Sequence, residues 1–321
     1  MNSLTKFVVV IPTKDRHLAL KYVSLPSLCK MRIKNFVVWV WDGSSNDLSK
    51  QIVEQFSSLL PIYYKKAPRI GSASQRNDAI DDVLSSIPLA EYVLYIDDDS
   101  KLSQDAIEGV EETFDRYPDV WGVHIPLHDD AYPYTDKKLR PDGRYSLLSE
   151  TSEAAPYRFV KSHAVVGALP PENNDESVEW AQGGGMAFRQ QVFSDLRMRF
   201  NEDLEFFGGY ALGEDIFFST ELRCKHNKKI WSAVYGYSRH MESPGGRLDE
   251  RLRVAAELYN LRLLFDMINE EVKGWRYFWI LCRFKAGRLA RLGMQCQMYS
   301  IKSCWQGFWE ARKAYARRQK K

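Results

Sequence analysis

Short apolar runs recur along the first 125 residues, and each ends in a polar loop. Phe7 to Ile11, Phe36 to Trp41, Pro61 to Lys65, Tyr92 to Ile96 and Val120 to Ile125 are rich in β-branched and aromatic residues and read as strands, most of them buried. Between them lie helical patterns: one to about Met31, one after the turn-rich loop Asp42 to Asp47, and one over Ser72 to Ser86. A fourth, capped by Ser103 and stopped by Pro118, carries Ile107, Val110, Phe114 and Tyr117 at spacings of three, four and three. Strand and helix alternate throughout. Such alternation predicts an α/β domain with a mainly parallel sheet flanked by helices, whose ligands sit at the carboxyl ends of the strands.

Beyond Ile125 the pattern changes. From Pro126 to Glu179 Pro, Asp, Ser and Tyr are plentiful, and a long, partly irregular insertion is expected. Order returns at the glycine triplet Gly183, Gly184 and Gly185, followed by a strand-like piece, where close backbone approach to a ligand and a simple tight turn are both open. Glu214 and Asp215 open an apolar helix to Cys224; helix-dipole capping and catalysis each explain an acidic pair there. Lys229 to Tyr235 reads as a last strand, and a long helix spans about Arg247 to Val272.

Charge divides the chain in two. From Lys273 onward 13 Lys or Arg face one acid, Glu310, although the whole chain carries only +3. Leu289, Leu292, Cys296 and Tyr299 form an apolar stripe in this tail, with Trp275, Trp279, Trp305 and Trp309 distributed along it. A helix on an anionic membrane surface and a helix packed on the body with a solvated basic face both fit; nucleic-acid binding has no accompanying module. The early first strand leaves no room for a signal peptide, and five cysteines without metal-ligand spacing fit a reducing compartment. No run reaches the roughly 18 to 20 apolar residues of a membrane span. The expected location is therefore cytoplasmic, peripheral on the inner face of the cell membrane.

The chemistry concentrates after the strand Tyr92 to Ile96, in Asp97, Asp98 and Asp99. Three adjacent carboxylates repel one another unless a cation sits among them, so a hard divalent metal carrying a polyanion competes with a plain solvated turn. Thr13, Asp15 and Asp42 fall on the same predicted edge. His240, in a polar loop after the last strand, is a candidate third metal ligand beside the aspartates, or structural. No Gly-x-Gly-x-x-Gly follows the first strand and no P-loop occurs, so dinucleotide-fold and P-loop chemistry are not supported.

Taken in order, Val10-Ile11-Pro12-Thr13 with Asp15-Arg16, Trp41-Asp42-Gly43-Ser44-Ser45, Arg76-Asn77, Asp97-Asp98-Asp99, Gly183-Gly184-Gly185 and Gly213-Glu214-Asp215 resemble an inverting glycosyltransferase of family 2, with the GT-A (Rossmann-like) fold. The resemblance covers about residues 5 to 240 and is similar to bacterial polysaccharide and rhamnosyltransferase-like members. It implies a catalytic domain over 1–245, with a nucleotide-sugar half about 1–125 and an acceptor half about 126–245; charge and periodicity make 246–321 a basic amphipathic helical C-terminal region. It also implies that Thr13, Asp15, Asp42 and Arg76 contact base and ribose, that Asp98 contacts ribose, and that Asp99 with Asp97 holds Mn²⁺ or Mg²⁺, His240 joining them. Asp215, with Glu214 beside it, matches the general base. The implied donor is a UDP- or dTDP-sugar, and the implied acceptor a glycan or lipid-linked hydroxyl in surface glycan synthesis. The Gln-x-x-Arg-Trp motif of processive members is missing, which predicts transfer of one or few sugars. A non-catalytic nucleotide-sugar or carbohydrate-binding protein on a degenerate version of the fold is the alternative.

Overall fold

A computed structural model describes residues 5–127, 159–160, 165–166, 175–241, 249–268 and 298–318. In chain order its strands are β1 (Phe7–Thr13), β2 (Phe36–Asp42), β3 (Ile62–Lys66), β4 (Tyr92–Tyr95), β5 (Ser100–Leu102), β6 (Val120–His124), β7 (Phe159–Val160), β8 (Val165–Val166), β9 (Ser177–Val178), β10 (Met186–Arg189), β11 (Lys229–Ser232) and β12 (Ser238–His240). The helices are α1 (His17–Ala19) and α2 (Leu25–Cys29), joined by the π-helical turn Leu20–Ser24, then α3 (Leu48–Phe56), α4 (Ser72–Ser86), α5 (Ala106–Arg116), α6 (Gln191–Ser194), α7 (Glu214–Cys224), α8 (Glu250–Ile268) and α9 (Met298–Arg318).

Eight strands form the main sheet in the order β3-β2-β1-β4-β10-β6-β11-β9. The pairs β1/β2, β1/β4, β2/β3 and β6/β11 are parallel, while β10 runs antiparallel between β4 and β6. Both faces are covered, as a parallel sheet requires. Alternate residues of β1 divide between them: Phe7, Val9 and Ile11 face a core with α2, α3 and α5, and Val8 and Val10 face a core with α4, α7, α8 and α9. The second core holds an aromatic cluster, in which the Phe200 and Phe218 rings stack at 4.4 Å and Tyr95 meets Phe200 edge-on at 5.3 Å.

The antiparallel direction of β10 decides where the glycine triplet lies. A strand running against its neighbours begins where they end, so Gly183 to Gly185, just before Met186, arrive at the carboxyl edge of β1, β4 and β6. Periodicity located this strand but gave no direction for it.

Two details differ from the sequence-based expectation, and the tail takes up the packing that was one of its two open readings. The last strand is shorter than expected, ending at Ser232, and a separate strand β12 pairs antiparallel with β5, so His240 lies in a ladder opposite Ser100 and not in a loop. Ser103 does not cap α5: its hydroxyl donates to Asp105 at 2.6 Å and accepts the Tyr237 amide at 3.0 Å, tying the β12 segment down. The C-terminal helices contribute Val254, Leu258, Leu263, Phe308, Ala311 and Ala314 to the same core as α4 and α7. The apolar stripe at Leu289, Leu292 and Cys296, and Trp275 and Trp279, lie outside the described residues, as does most of Pro126 to Glu179. Among the described residues no helix is long and apolar enough to cross a membrane.

The turn into β12 depends on Gly236, whose φ is +88° and whose added Cβ would sit 2.6 Å from the Ala106 Cα atom. Positive φ and contact with backbone both exclude a side chain. We expect Gly236→Ala to destabilise the fold by about 2 kcal/mol or more, measured as a lowered midpoint in urea unfolding; an unchanged midpoint would show that the turn relaxes freely.

Candidate active site

At the carboxyl edge β1 and β2 finish in register, Thr13 opposite Asp42. Gln75 of α4 crosses beneath them, its amide donating to the Thr13 and Trp41 carbonyls at 3.1 Å each. Asp42 is fully buried and accepts from the Ser44 amide at 2.9 Å, from the Ser44 hydroxyl and from the Tyr64 hydroxyl at 2.8 Å, with Lys66 3.7 Å away. Burial and the bond to Asp42 push the Tyr64 phenol upward, so it stays a donor. Asp15 takes a left-handed φ of 56°, and its amide donates to the Ser44 hydroxyl at 2.7 Å. The first two loops are thereby stitched together, and the exposed Asp15 side chain stands at the rim.

The aspartate triplet has a built-in counter-cation. Arg16 donates to Asp98 at 3.1 Å and to Asp99 at 2.9 Å, while Thr13 donates to the other Asp98 oxygen at 2.6 Å. Burial pushes the Asp98 carboxyl up to about 7, with the Thr13 bond and the Arg16 charge opposing. Asp98 and Asp99 are buried, whereas the Asp97 side chain is 38% exposed. Asp99 turns its second oxygen to His240 Nε2 at 3.1 Å.

That last distance is that of a direct histidine–carboxylate pair and also matches the spacing of two donors to one cation. Two donors at adjacent corners of an octahedral ion, each about 2.1 Å from it, are about 3.0 Å apart. Asp99 and His240 fit one Mg²⁺- or Mn²⁺-sized cation by this measure. Among the described residues no group of three or more His, Cys, Asp or Glu forms a ready cage. Two protein donors leave most coordination positions to water and phosphate oxygens, the usual arrangement where a divalent cation binds with a phosphorylated ligand.

The second acidic group lies across a buried guanidinium. Arg76, 3% exposed, donates to Glu214 at 2.7 Å and to Asp97 at 3.2 Å, so it spans both carboxylate clusters. Asp215 accepts the Gly183 amide at 2.9 Å on one oxygen and the Ile216 amide at 2.8 Å on the other. Burial raises the Glu214 and Asp215 pKa values, and the Arg76 charge opposes the rise. Two of the three glycines sit where a side chain has no room, and the third is in ordinary contact with the charged groups. A Cβ on Gly183 would lie 3.5 Å from Arg76 and 3.7 Å from Asp215, one on Gly184 3.0 Å from Ser100, and one on Gly185 2.9 Å from Ile125. At Gly183 the backbone itself meets the acidic pair, through the amide that donates to Asp215.

The residues singled out from the sequence therefore gather at one edge of the sheet, with Arg76 reaching in from α4 and Glu214 and Asp215 from the start of α7. Arg76, expected to face a ligand, is taken up by Glu214 and Asp97. Arg16, Tyr64, Gln75 and His124 had no role assigned from the sequence. His124 is buried and neutral, its pKa lowered to about 3 by burial, and its Nδ1 accepts the Gln182 amide at 3.2 Å just ahead of the glycine triplet. Arg16 was legible in principle, because a cation close behind the first strand must face the acids that end its neighbour.

Solved structures of similar fold include S. aureus TarS 1–349 in complex with UDP-GlcNAc, 16% identical, covering 96% of this chain and 81% of that one with a TM-score of 0.54. Against a longer TarS chain the identity is 18% and the TM-score 0.51, with 87% of this chain covered; this chain spans 42% of it. The mannosyltransferase PcManGT from Pyrobaculum calidifontis, in complex with GDP-Man and Mn²⁺, is 16% identical, covering 98% of this chain and 76% of that one with a TM-score of 0.55. Comparison with curated protein sequences finds no significant match. The profile of the family described as Glycosyl transferase family 2 matches residues 8–197. That segment exceeds half of the chain and contains the aspartate triplet, Arg76 and the glycine triplet, so the chain belongs to glycosyltransferase family 2 and is a glycosyltransferase.

Proposed function

We propose that the protein is a metal-dependent, inverting transferase that moves one sugar from a UDP- or dTDP-sugar to a hydroxyl of a glycan or lipid-linked acceptor in surface glycan synthesis. The observation that carries this reading is the pair of carboxylate clusters on opposite sides of Arg76. One cluster, at Asp97 to Asp99, suits a cation and a diphosphate. The other, at Glu214 and Asp215, suits proton transfer. A nucleotide-sugar donor is supported by similarity to TarS, solved with UDP-GlcNAc, and to PcManGT, solved with GDP-Man and Mn²⁺, and the UDP class by TarS alone of these two.

In this reading Thr13, Asp15 and Asp42 line the base and ribose side, and Asp98 holds ribose through the position that Thr13 and Arg16 fix. Asp99 and His240, with Asp97 beside them, would hold Mn²⁺ or Mg²⁺, which would supply positive charge against the departing diphosphate. Asp215 takes the proton of the acceptor hydroxyl as its oxygen attacks the anomeric carbon. The carbon–oxygen bond to the diphosphate breaks as the new one forms, and one displacement inverts the centre. Gly183 and Ile216 amides orient the Asp215 carboxylate, while Glu214 is held by Arg76 and serves the pair electrostatically.

The C-terminal region, 246–321, is assigned to an anionic membrane surface at the cytoplasmic face. Helix α9 buries Phe308, Ala311 and Ala314 against the body and turns Lys302, Trp305, Trp309, Arg312 and Lys313 outward, with Trp305 52% and Trp309 47% exposed. Tryptophans flanked by cations suit a lipid interface.

Two outcomes are expected. Asp215→Asn should leave calorimetric UDP binding within about twofold while turnover falls about 10²-fold. Because burial raises the pKa of the pair, wild-type turnover should climb with pH as it ionises, and the variant should lack that limb; near-normal turnover would reassign the base. The full chain should co-sediment with phosphatidylglycerol vesicles but not with phosphatidylcholine, and a Trp305→Ser, Trp309→Ser double variant should lose most of that binding. Unchanged sedimentation of the double variant would remove α9 from the interface.

A further inference from the structure

The loop that delivers Glu214 and Asp215 is rich in glycine and is nevertheless held at both ends by a residue far away in the chain. Between Leu204 and Glu214 lie Gly208, Gly209 and Gly213, with φ of +108°, +82° and +83°. Such a segment has many backbone alternatives and sets the start of α7 only if something external fixes it. On one side α4 does so: the Ser72 amide donates to the Gly209 carbonyl at 2.8 Å, and the Ser72 hydroxyl accepts the Ala211 amide at 2.9 Å. On the other side stands Asn260 of α8, 5% exposed, whose side-chain amide donates to the Leu204 carbonyl at 3.3 Å and to the Leu212 carbonyl at 2.9 Å.

One NH₂ group thus closes the span from Leu204 to Leu212, whose second anchor lies just before Glu214. Asn is suited to this: it offers two donors in a fixed plane, and both are used. Its Oδ1 atom is buried without a hydrogen-bond partner among the described residues, so the side chain accepts a desolvation cost to keep both bonds. Tyr259 beside it packs on Phe206 and Phe207 with ring centroids 5.3 and 5.7 Å apart, and Arg318 of α9 pairs with Asp203 at 2.5 Å.

The geometry points to Asn260 as a positioning residue for the transfer reaction: α8 clamps Leu204 to Leu212 and so fixes the carboxylates that open α7. The C-terminal helices are in this way part of the catalytic architecture as well as a surface. The inference rests on the reading of Glu214 and Asp215 as catalytic carboxylates, yet its structural half is tested without substrate. In Asn260→Ala, amide exchange in the peptide covering Leu204 to Asp215 should accelerate about tenfold, the scale of losing two buried hydrogen bonds. Exchange in β1 and β4 and the affinity for UDP with Mn²⁺ should stay as in the wild type. Turnover of a UDP-sugar should fall about tenfold at unchanged donor KM. Asn260→Asp keeps the side-chain shape and volume while replacing the two-donor amide, and it should loosen the same peptide. The proposal is overturned if exchange in that peptide is unchanged in both variants, or if it rises equally in β1 and β4, which would mean general destabilisation. Normal loop exchange with lost UDP binding would also overturn it, and would point at the donor reading instead.

Discussion

A buried guanidinium holds the two halves of this site at a fixed separation. Arg76 is nearly inaccessible and reaches Asp97, at the end of β4, and Glu214, at the start of α7. Removing one partner of such a pair costs about 3–5 kcal/mol, because the other charge is left in low dielectric. Two acidic groups could not be brought so close to one sheet edge without it. Arg16 performs the same service one layer away, between Asp98 and Asp99. The edge is thus a layered arrangement of acids and internal cations, with Asp97, His240 and the rim residues open to a ligand.

The fold supplies this arrangement through strand direction. Parallel strands send Thr13, Asp42 and the aspartates to one edge, and antiparallel β10 brings the Gly183 amide to meet them from the opposite direction. The chain then crosses to α7, whose first turn donates the Ile216 amide to Asp215. Asp215 is held by backbone amides from two segments, and Glu214 by the Arg76 side chain. The C-terminal helices complete the same layer, sharing a core with α4 and α7.

Much of this was legible in the residues themselves. Apolar runs located β1, β2, β4 and β6 nearly to the residue, since a strand buried on both faces leaves a continuous hydrophobic signature. The carboxyl-edge position of Asp97 to Asp99 followed from the alternation alone. What stayed hidden depends on long-range pairing. The short strands β5 and β12 are too brief to show a period, so the ladder that seats His240 opposite Ser100 left no trace in the pattern. Arg76 carried a family motif but gave no sign that its partners would be 21 and 138 positions away. For the tail, charge and an apolar stripe left a membrane-surface helix and a packed helix both open; α9 packs through Phe308, Ala311 and Ala314, which that stripe did not include.

If the Asp99 and His240 edge binds a nucleoside diphosphate through a divalent cation, the cation and the nucleotide must bind together. Titration calorimetry of UDP into the full chain, with Mn²⁺ and again with excess EDTA, tests this most directly. Binding should appear with Mn²⁺, disappear in EDTA and be lost in Asp99→Asn, since a hard cation held by so few protein donors loses a charged one. Equal UDP affinity with and without the cation, or full metal-dependent binding in Asp99→Asn, would contradict it.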